Sequence, residues 1–176
     1  MNKYTLHDMV LITKEALEER GVTITDIAQI VLKLQKKYIP ELTLNECKEH
    51  VEKVLRKREI IHAVLTGIAI DQLAEKKLLP QPLQHLVETD EPLYGIDEIV
   101  PLSIVNIYGS IGFTNFGYLD KEKYGIIKKL DSKLNGRVNT FLDDIVAAIA
   151  AAAASRIAHH HRDELDENYT DEAANQ

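Results

Sequence analysis

The sequence lacks tryptophan and contains a single cysteine, Cys47, among its 176 residues. A lone cysteine excludes an internal disulfide, and this composition fits a protein of the reducing cytoplasm. The sequence also lacks a Walker loop, a Gly-x-Ser-x-Gly elbow, a His-Glu-x-x-His pair and a Cys-x-x-Cys pair. None of these common catalytic and ligand-binding signatures can therefore carry the chemistry, and other residue types have to be considered.

Basic residues are scarce relative to acidic ones. The chain has 21 Lys and Arg against 28 Asp and Glu, which gives a net charge of -7 and a pI near 5.5. Nucleic-acid-binding proteins usually carry a basic face, so we expect no nucleic-acid partner. An acidic protein that holds a phosphate has to recruit a metal ion or a local basic patch to do so.

Long apolar runs are missing as well. We find no segment with the roughly 18–20 apolar residues that a transmembrane helix needs. The best candidate, Ile145 to Ala154, is short, rich in alanine, and flanked by Asp144 and Arg156. The opening stretch MNKYTLHDMV lacks the apolar core of a signal peptide. We therefore expect a cytoplasmic protein with no transmembrane segment and with a close-packed helix over the alanine run.

What the sequence does contain is helical patterning along almost its whole length. Apolar residues recur at helical spacing, Thr43 and Glu46 form a capping-box pattern, and Thr25 is a plausible cap of an earlier helix. Alternating strand patterns with partners are absent. The sequence predicts an all-α protein, a compact multi-helix bundle with a buried alanine-rich C-terminal helix. We expect one domain over residues 1–162, with amphipathic outer helices over 1–79 and an acidic, disordered tail over 163–176.

Carboxylates within the apolar half are the most informative residues. They form three groups along the chain, namely Asp97 with Glu98, then Asp120, then Asp143 with Asp144. A carboxylate that enters an apolar region costs free energy unless it is paired, hydrogen-bonded or metal-bound. Three such groups converging from three segments would suit one hard divalent cation, for which Mg²⁺ is the natural choice.

The same carboxylates also have a purely structural interpretation. Thr140 and Asp143 match a capping box, and Asp97 and Glu98 stand near an expected helix start. Consecutive helical residues point about 100° apart, so Asp143 and Asp144 cannot both sit centrally on one face. Either one binds and the other caps, or the two bridge two metal ions. Asp144 is the better candidate ligand.

Two further groups of polar residues stand near these acids. The three consecutive histidines, 159–161, are expected at a solvent-exposed helix end, where a cation suits the helix dipole. The second group is the only local concentration of basic residues near these acids, and it comprises Lys121, Lys123, Lys128, Lys129 and Arg137. These residues could hold a phosphate or anionic lipid headgroups, or simply form a solvated face.

Three motifs together resemble the family of phosphatidylglycerophosphatase A, a magnesium-dependent lipid phosphatase, and its soluble-looking relatives named for low-temperature requirement in Gram-positive bacteria. The motifs are GIDEIV, FGYLDKEK and FLDDIVAAIAAA, in that order along the chain. The resemblance covers residues 94–161, which would form the family-like core of the domain. The family's Gly- and Pro-rich segment near the N-terminus has no counterpart here.

The resemblance implies a metal-dependent phosphomonoester hydrolase of phospholipid metabolism, with Mg²⁺ as cofactor. Its substrate would be phosphatidylglycerophosphate, reached at the inner face of the membrane, or a related ester. Lys123 would bind the phosphoryl group. The implied metal ligands are Asp97, Glu98, Asp120, Asp143 and Asp144, of which Asp97, Glu98, Asp120 and Asp144 are the candidate catalytic residues.

Two other functions remain open from the sequence. One is a catalytically inactive helical binding or regulatory protein that retains the family fold. The other is a homo-oligomer held through the apolar segment SIVNIYGSIGF and the alanine-rich surface. The positions of the three groups of carboxylates distinguish these functions from the enzyme, because an enzyme requires all three groups to line one cleft.

Overall fold

A computed structural model of the chain describes residues 3–132 and 136–174, with side chains as far as residue 167. The described residues form α-helices, one 3₁₀ turn over Asn106–Tyr108, and no β-strand, which confirms the predicted all-α class. The α-helices are α1 (Leu6–Glu19), α2 (Ile24–Gln35), α3 (Leu44–Leu55), α4 (Arg58–Glu75), α5 (Leu83–Thr89), α6 (Ile96–Val105), α7 (Gly109–Glu122), α8 (Ile126–Asp131) and α9 (Leu142–Ala174).

Capping boxes begin the first three helices. The side chains of Thr5, Thr23 and Thr43 each accept the backbone N–H three residues further on, and the carboxylate at that position accepts the threonine N–H in return. The box predicted at Thr43 is confirmed. The cap predicted at Thr25 is wrong, since α2 begins at Ile24 with Thr23 as its cap and Thr25 lies inside the helix.

Helix α9 is the centre of the bundle. Every residue from Ile145 to Ala154 is fully buried, because α2, α3, α4, α6, α7 and α8 all pack around this helix. Alanine side chains are short enough for helices to approach closely from all sides. The predicted buried alanine-rich helix is thus confirmed, and Cys47 lies buried in the same core.

One stretch of the chain, Ile96–Glu122, is long and apolar enough to cross a membrane by length and composition alone, contrary to our expectation. In the structure it is folded back on itself at the 3₁₀ turn. Its limbs, α6 and α7, have 10 and 14 residues, or about 15 and 21 Å, whereas a bilayer core is about 30 Å thick. Neither limb alone is long enough to span.

The end of α9 differs from the prediction of a disordered tail from residue 163. The helix continues through the three histidines to Ala174, and the last two residues lie outside the described part of the chain. One turn apart, Nδ1 of His160 lies 3.2 Å from a carboxylate oxygen of Glu164, and Arg162 forms an ion pair with Asp166. Such pairs support a solvent-exposed helix, so the histidines lie inside a helix and not at its end.

Helix α4 crosses α9 at Gly67, and we predict that a side chain added at this crossing destabilises the protein. An added Cβ would overlap Cδ1 of the buried Ile145 and lie 3.1 Å from Cβ of Phe141. Gly67→Val should lower the free energy of unfolding by about 2 kcal/mol, the usual cost of overpacking a core. Urea denaturation measures the change.

Gly117 supplies the matched control, because it is a helical glycine with no atom within 4 Å of an added Cβ. Gly117→Ala should raise the free energy of unfolding by about 0.5–1 kcal/mol through helix propensity. Equal effects of the two substitutions would show that the α4–α9 crossing is not as tight as described.

Candidate functional site

A buried carboxylate from a neighbouring helix holds the start of α9. Asp71 of α4, which is fully buried, accepts the backbone N–H groups of Phe141 at 3.1 Å and Leu142 at 3.0 Å. These donors stand at the N-terminus of α9, where the helix itself supplies no acceptors. Burial raises the pKa of Asp71 to about 8, while the two backbone hydrogen bonds and the charge of Arg20 act in the opposite direction.

The segment leading into α9 is fixed by a second set of polar contacts. Arg20, at the end of α1, is buried and forms an ion pair at 2.7 Å with Glu75 of α4. The same guanidinium donates to the carbonyl oxygen of Val138 and to Oδ1 of Asn139, both at 2.7 Å, and Glu75 accepts the N–H of Val138 at 2.9 Å. The N-terminal helices therefore determine where α9 begins.

Thr140 does not cap α9 as predicted. Its hydroxyl donates a 2.6 Å hydrogen bond to the carbonyl oxygen of Val87 at the end of α5. The cap is instead the distant Asp71, which sequence patterns near the helix start could not reveal. Asp71 does continue the apolar stripe of Ile60, Val64 and Ile68 along α4, and a carboxylate on such a stripe is the signal that we missed.

All five predicted carboxylates line one cleft of about 270 Å³ at the N-terminal end of α9. Asp97 and Glu98 enter it from the start of α6, Asp120 from the end of α7, and Asp143 and Asp144 from the start of α9. In a single straight helix Asp97 and Asp120 would be about 35 Å apart, so the α6–α7 fold brings them together. Three lining carboxylates were missed by the sequence analysis: Asp90, Glu91 and Asp131.

Lys123 lies among three of these carboxylates. Its Nζ is 2.9 Å from Oδ1 of Asp120, 2.8 Å from Oδ2 of Asp143 and 3.2 Å from Oδ1 of Asp144. Residues of the motifs FGYLDKEK and FLDDIVAAIAAA thus meet in one cluster. We call Asp120, Lys123, Asp143 and Asp144 the lysine–aspartate cluster.

The electrostatics of this cluster follow from burial and charge. Asp143 and Asp144 are almost completely buried, and burial raises the pKa of both carboxyl groups, with repulsion between the two raising that of Asp144 further. Burial works against the charge on Lys123, but the neighbouring carboxylates outweigh it and raise the pKa of Lys123. The ammonium therefore stays charged and partly neutralises its neighbours.

The backbone at Lys123 is unusual. This residue ends α7 with φ 43° and ψ 63°, in the left-handed region that residues with a Cβ rarely adopt. Such a conformation costs free energy and persists where the surrounding contacts require it. Here the three carboxylate contacts hold the side chain in the cleft.

Of the remaining predicted residues, the two acidic ones line the cleft without joining the cluster, and the basic ones lie outside it. Asp97 is half-buried, its Oδ1 has no hydrogen-bond partner among the described residues, and burial raises its pKa. Glu98 is exposed at the edge. The basic residues Lys121, Lys128 and Lys129 are exposed outside the cleft, and Arg137 donates to the carbonyl oxygen of Glu19.

The cleft contains the carboxylate ligands that a hard cation prefers, but these ligands are not arranged around a common point. Carboxylate oxygens are the ligands that Mg²⁺ prefers, and the buried Oδ1 atom of Asp97 has no hydrogen-bond partner among the residues that the structure describes. In the described part of the chain, however, no three potential ligands are grouped as a metal ion requires. The ammonium of Lys123 takes the central position, so a metal ion could bind there only if Lys123 moved.

Comparisons with known proteins agree with the motifs. The family model for phosphatidylglycerophosphatase A matches residues 15–159. The chain is 74% identical over 167 residues to the uncharacterized protein YpjQ of Bacillus subtilis, covering 95% of this chain and 94% of that protein. The crystal structure of YpjQ superposes with a TM-score of 0.87, covering 91% of this chain and 99% of that one.

A second crystal structure is similarly close. The low temperature requirement C protein of Listeria monocytogenes is 59% identical and superposes with a TM-score of 0.85, covering 88% of this chain and 97% of that one.

We predict that Asp71→Ala destabilises the protein by about 3 kcal/mol. The substitution leaves the N–H groups of Phe141 and Leu142 buried without an acceptor, at about 1–3 kcal/mol for each such group. Asp71→Asn keeps one acceptor oxygen and should cost less. Chemical denaturation gives both values.

Glu59→Ala is the control, since Glu59 is an exposed carboxylate on the same helix. Its replacement should change the free energy of unfolding by less than about 0.5 kcal/mol. A similarly small loss for Asp71→Ala would contradict the assigned cap.

Proposed function

The chain belongs to the phosphatidylglycerophosphatase A family, and from this premise we propose that it is a metal-dependent phosphatase that hydrolyses a phosphomonoester. The observation that carries the proposal is the composition of the cleft. Its described lining has one basic side chain, Lys123, and eight carboxyl groups: Asp90, Glu91, Asp97, Glu98, Asp120, Asp131, Asp143 and Asp144. A site built only to bind an anion would not have this excess of negative charge.

A phosphate ester is itself an anion and would be repelled by these carboxylates. A divalent cation would offset this repulsion, because carboxylate and phosphoryl oxygens are both ligands that a hard cation prefers. We assign the cation, Mg²⁺, to Asp97, Glu98, Asp120, Asp143 and Asp144. When bound, such an ion polarises the phosphoryl group and lowers the pKa of a coordinated water.

Lys123 has two roles in this proposal. Without a metal ion it neutralises the buried Asp143 and Asp144, and its contacts support this directly. With a cation on these carboxylates, the Lys123 ammonium would be free to face the phosphoryl group, where its positive charge would stabilise the negative charge of the transition state.

Within the family, the substrate that we propose is phosphatidylglycerophosphate or a related ester of phospholipid metabolism. The protein would act in the cytoplasm, peripheral to the inner face of the membrane, on the headgroup of a lipid. The cleft of about 270 Å³ suits a phosphorylated headgroup and not a whole lipid, whose acyl chains would stay outside.

We predict that Asp144→Asn reduces metal-dependent phosphate release by at least about 100-fold. The asparagine keeps the shape of a residue that is almost fully buried but removes a charged ligand and a contact of Lys123. The measurement is release of inorganic phosphate from phosphatidylglycerophosphate and from a water-soluble short-chain ester, with and without Mg²⁺.

Glu122→Gln is the matched control, because Glu122 is an exposed carboxylate beside Lys123 that does not line the cleft. Its activity should equal that of the unmodified protein. No metal-dependent release from either ester by the unmodified protein would sink the proposed function and favour a catalytically inactive binding protein.

A second prediction concerns Lys123. Lys123→Met removes the ammonium that occupies the centre of the cluster, so Mg²⁺ no longer has to displace it. Without metal the variant should melt at a lower temperature, since Asp143 and Asp144 lose their counter-charge. The concentration of Mg²⁺ that gives half of the maximal thermal stabilisation should fall about tenfold, while phosphate release should also fall.

Lys121→Met, which alters an exposed lysine two residues away, should change none of these quantities. If Lys123→Met instead weakened Mg²⁺ binding, the lysine would not compete with the cation and the exchange proposed here would be wrong.

A further inference from the structure

The surface of the α6–α7 pair carries no charge over a long stretch of chain. Every residue from 99 to 119 is uncharged, although 28% of the whole sequence is charged. Exposed helices of globular proteins normally carry charged residues on the face away from the core. Only 28% of the most apolar 18-residue window in this stretch is buried, so the core does not explain its composition.

Large apolar side chains project from both helices into solvent. We define the hairpin face as the exposed residues Leu93, Ile96, Ile99, Ile107, Ile111 and Phe113. Single exposed apolar residues are ordinary, but a group of this kind along two adjacent elements indicates an interaction surface.

The residue nearest the cleft is the most unusual member of this group. Leu93 is completely exposed, has φ 68°, and lines the same cleft as the lysine–aspartate cluster. A leucine in the left-handed region costs free energy, and nothing in the folded core repays it. The hairpin face is therefore continuous with the mouth of the proposed phosphatase site.

A border of tyrosine and lysine residues runs along the α2 side of α7. Lys33, Lys37, Tyr38 and Tyr118 line one shallow groove with Thr114 and Asn115 of α7. The Lys37 ammonium lies 4.6 Å from the centre of the Tyr38 ring. Tyrosine and lysine have apolar stems and polar ends, which suits them to the boundary between water and lipid headgroups.

We propose that the hairpin face docks on the surface of a phospholipid bilayer, with its aliphatic and aromatic side chains among the acyl chains and the Lys/Tyr border at headgroup level. Basic residues at the edge of an apolar face complement anionic lipids, whereas the chain as a whole, at -7, does not.

The docked molecule lies along the bilayer and does not cross it, because each limb is too short to span. Leu93, Ile96 and Ile99 then enter the lipid beside the cleft, which would present the carboxylates to a headgroup phosphate. This orientation of the site rests on the proposed function, whereas the docking itself does not.

Flotation with lipid vesicles tests the docking without any activity measurement. The full-length protein should float with vesicles of phosphatidylcholine and more strongly when phosphatidylglycerol is included. Replacing Ile111 and Phe113 together by Asp should reduce the vesicle-bound fraction at least tenfold, and so should Ile99→Asp on the other limb. Lys33→Gln combined with Lys37→Gln should abolish only the preference for phosphatidylglycerol.

Leu11→Asp is the control, because Leu11 is an exposed apolar residue of α1 outside the hairpin face. It should bind vesicles like the unmodified protein, and circular dichroism shows whether each variant is folded. Loss of binding by Leu11→Asp equal to that of the hairpin variants would overturn the proposal.

The second possible occupant of this face is another copy of the chain. Lipid docking would also be overturned if the unmodified protein bound neither type of vesicle. In that case, a dimer in light scattering that Ile99→Asp dissociates would identify a second copy as the occupant. Failure of docking is distinguishable from failure of the proposed function. Folded hairpin variants should still release phosphate from the water-soluble ester, since they leave the cleft intact.

Discussion

The rest of the structure depends on one interaction: the buried carboxylate of Asp71 accepts hydrogen bonds from two backbone N–H groups at the start of α9. It fixes where the central helix α9 begins, and so where Asp143 and Asp144 enter the cleft. Arg20 and Glu75 hold the preceding segment in the same way. The N-terminal helices, which contribute nothing to the lining of the cleft, thereby define its geometry.

Local patterns made much of the fold predictable. The alanine run indicated a close-packed central helix, and the Thr43–Glu46 spacing indicated a cap, because both depend on residues near one another in sequence. The reversal between α6 and α7 could not be predicted, since Gly109 in an apolar stretch is compatible with either a bend or a continuous helix. The Asp71 cap was equally hidden, because its partners lie 70 residues away.

The candidate site shows the same division. Three motifs in the right order led to Asp97, Glu98, Asp120, Asp143 and Asp144, and the structure brings all of them to one cleft. Sequence alone gave no reason to include Asp90 or Asp131, which lie in stretches without a recognisable motif. Nor could it reveal that Lys123 would touch three carboxylates, since that contact depends on how α7 meets α9 in space.

The position of Lys123 also bears on whether the protein can fold before it binds a cation. A cluster of buried carboxylates without a counter-charge would oppose the final packing of α9 until an ion arrived from solution. Here the compensating positive charge is the ammonium of Lys123, which is part of the chain itself. The newly made protein can therefore complete its fold without a divalent cation, and the cation binding proposed above would be an exchange within a folded structure.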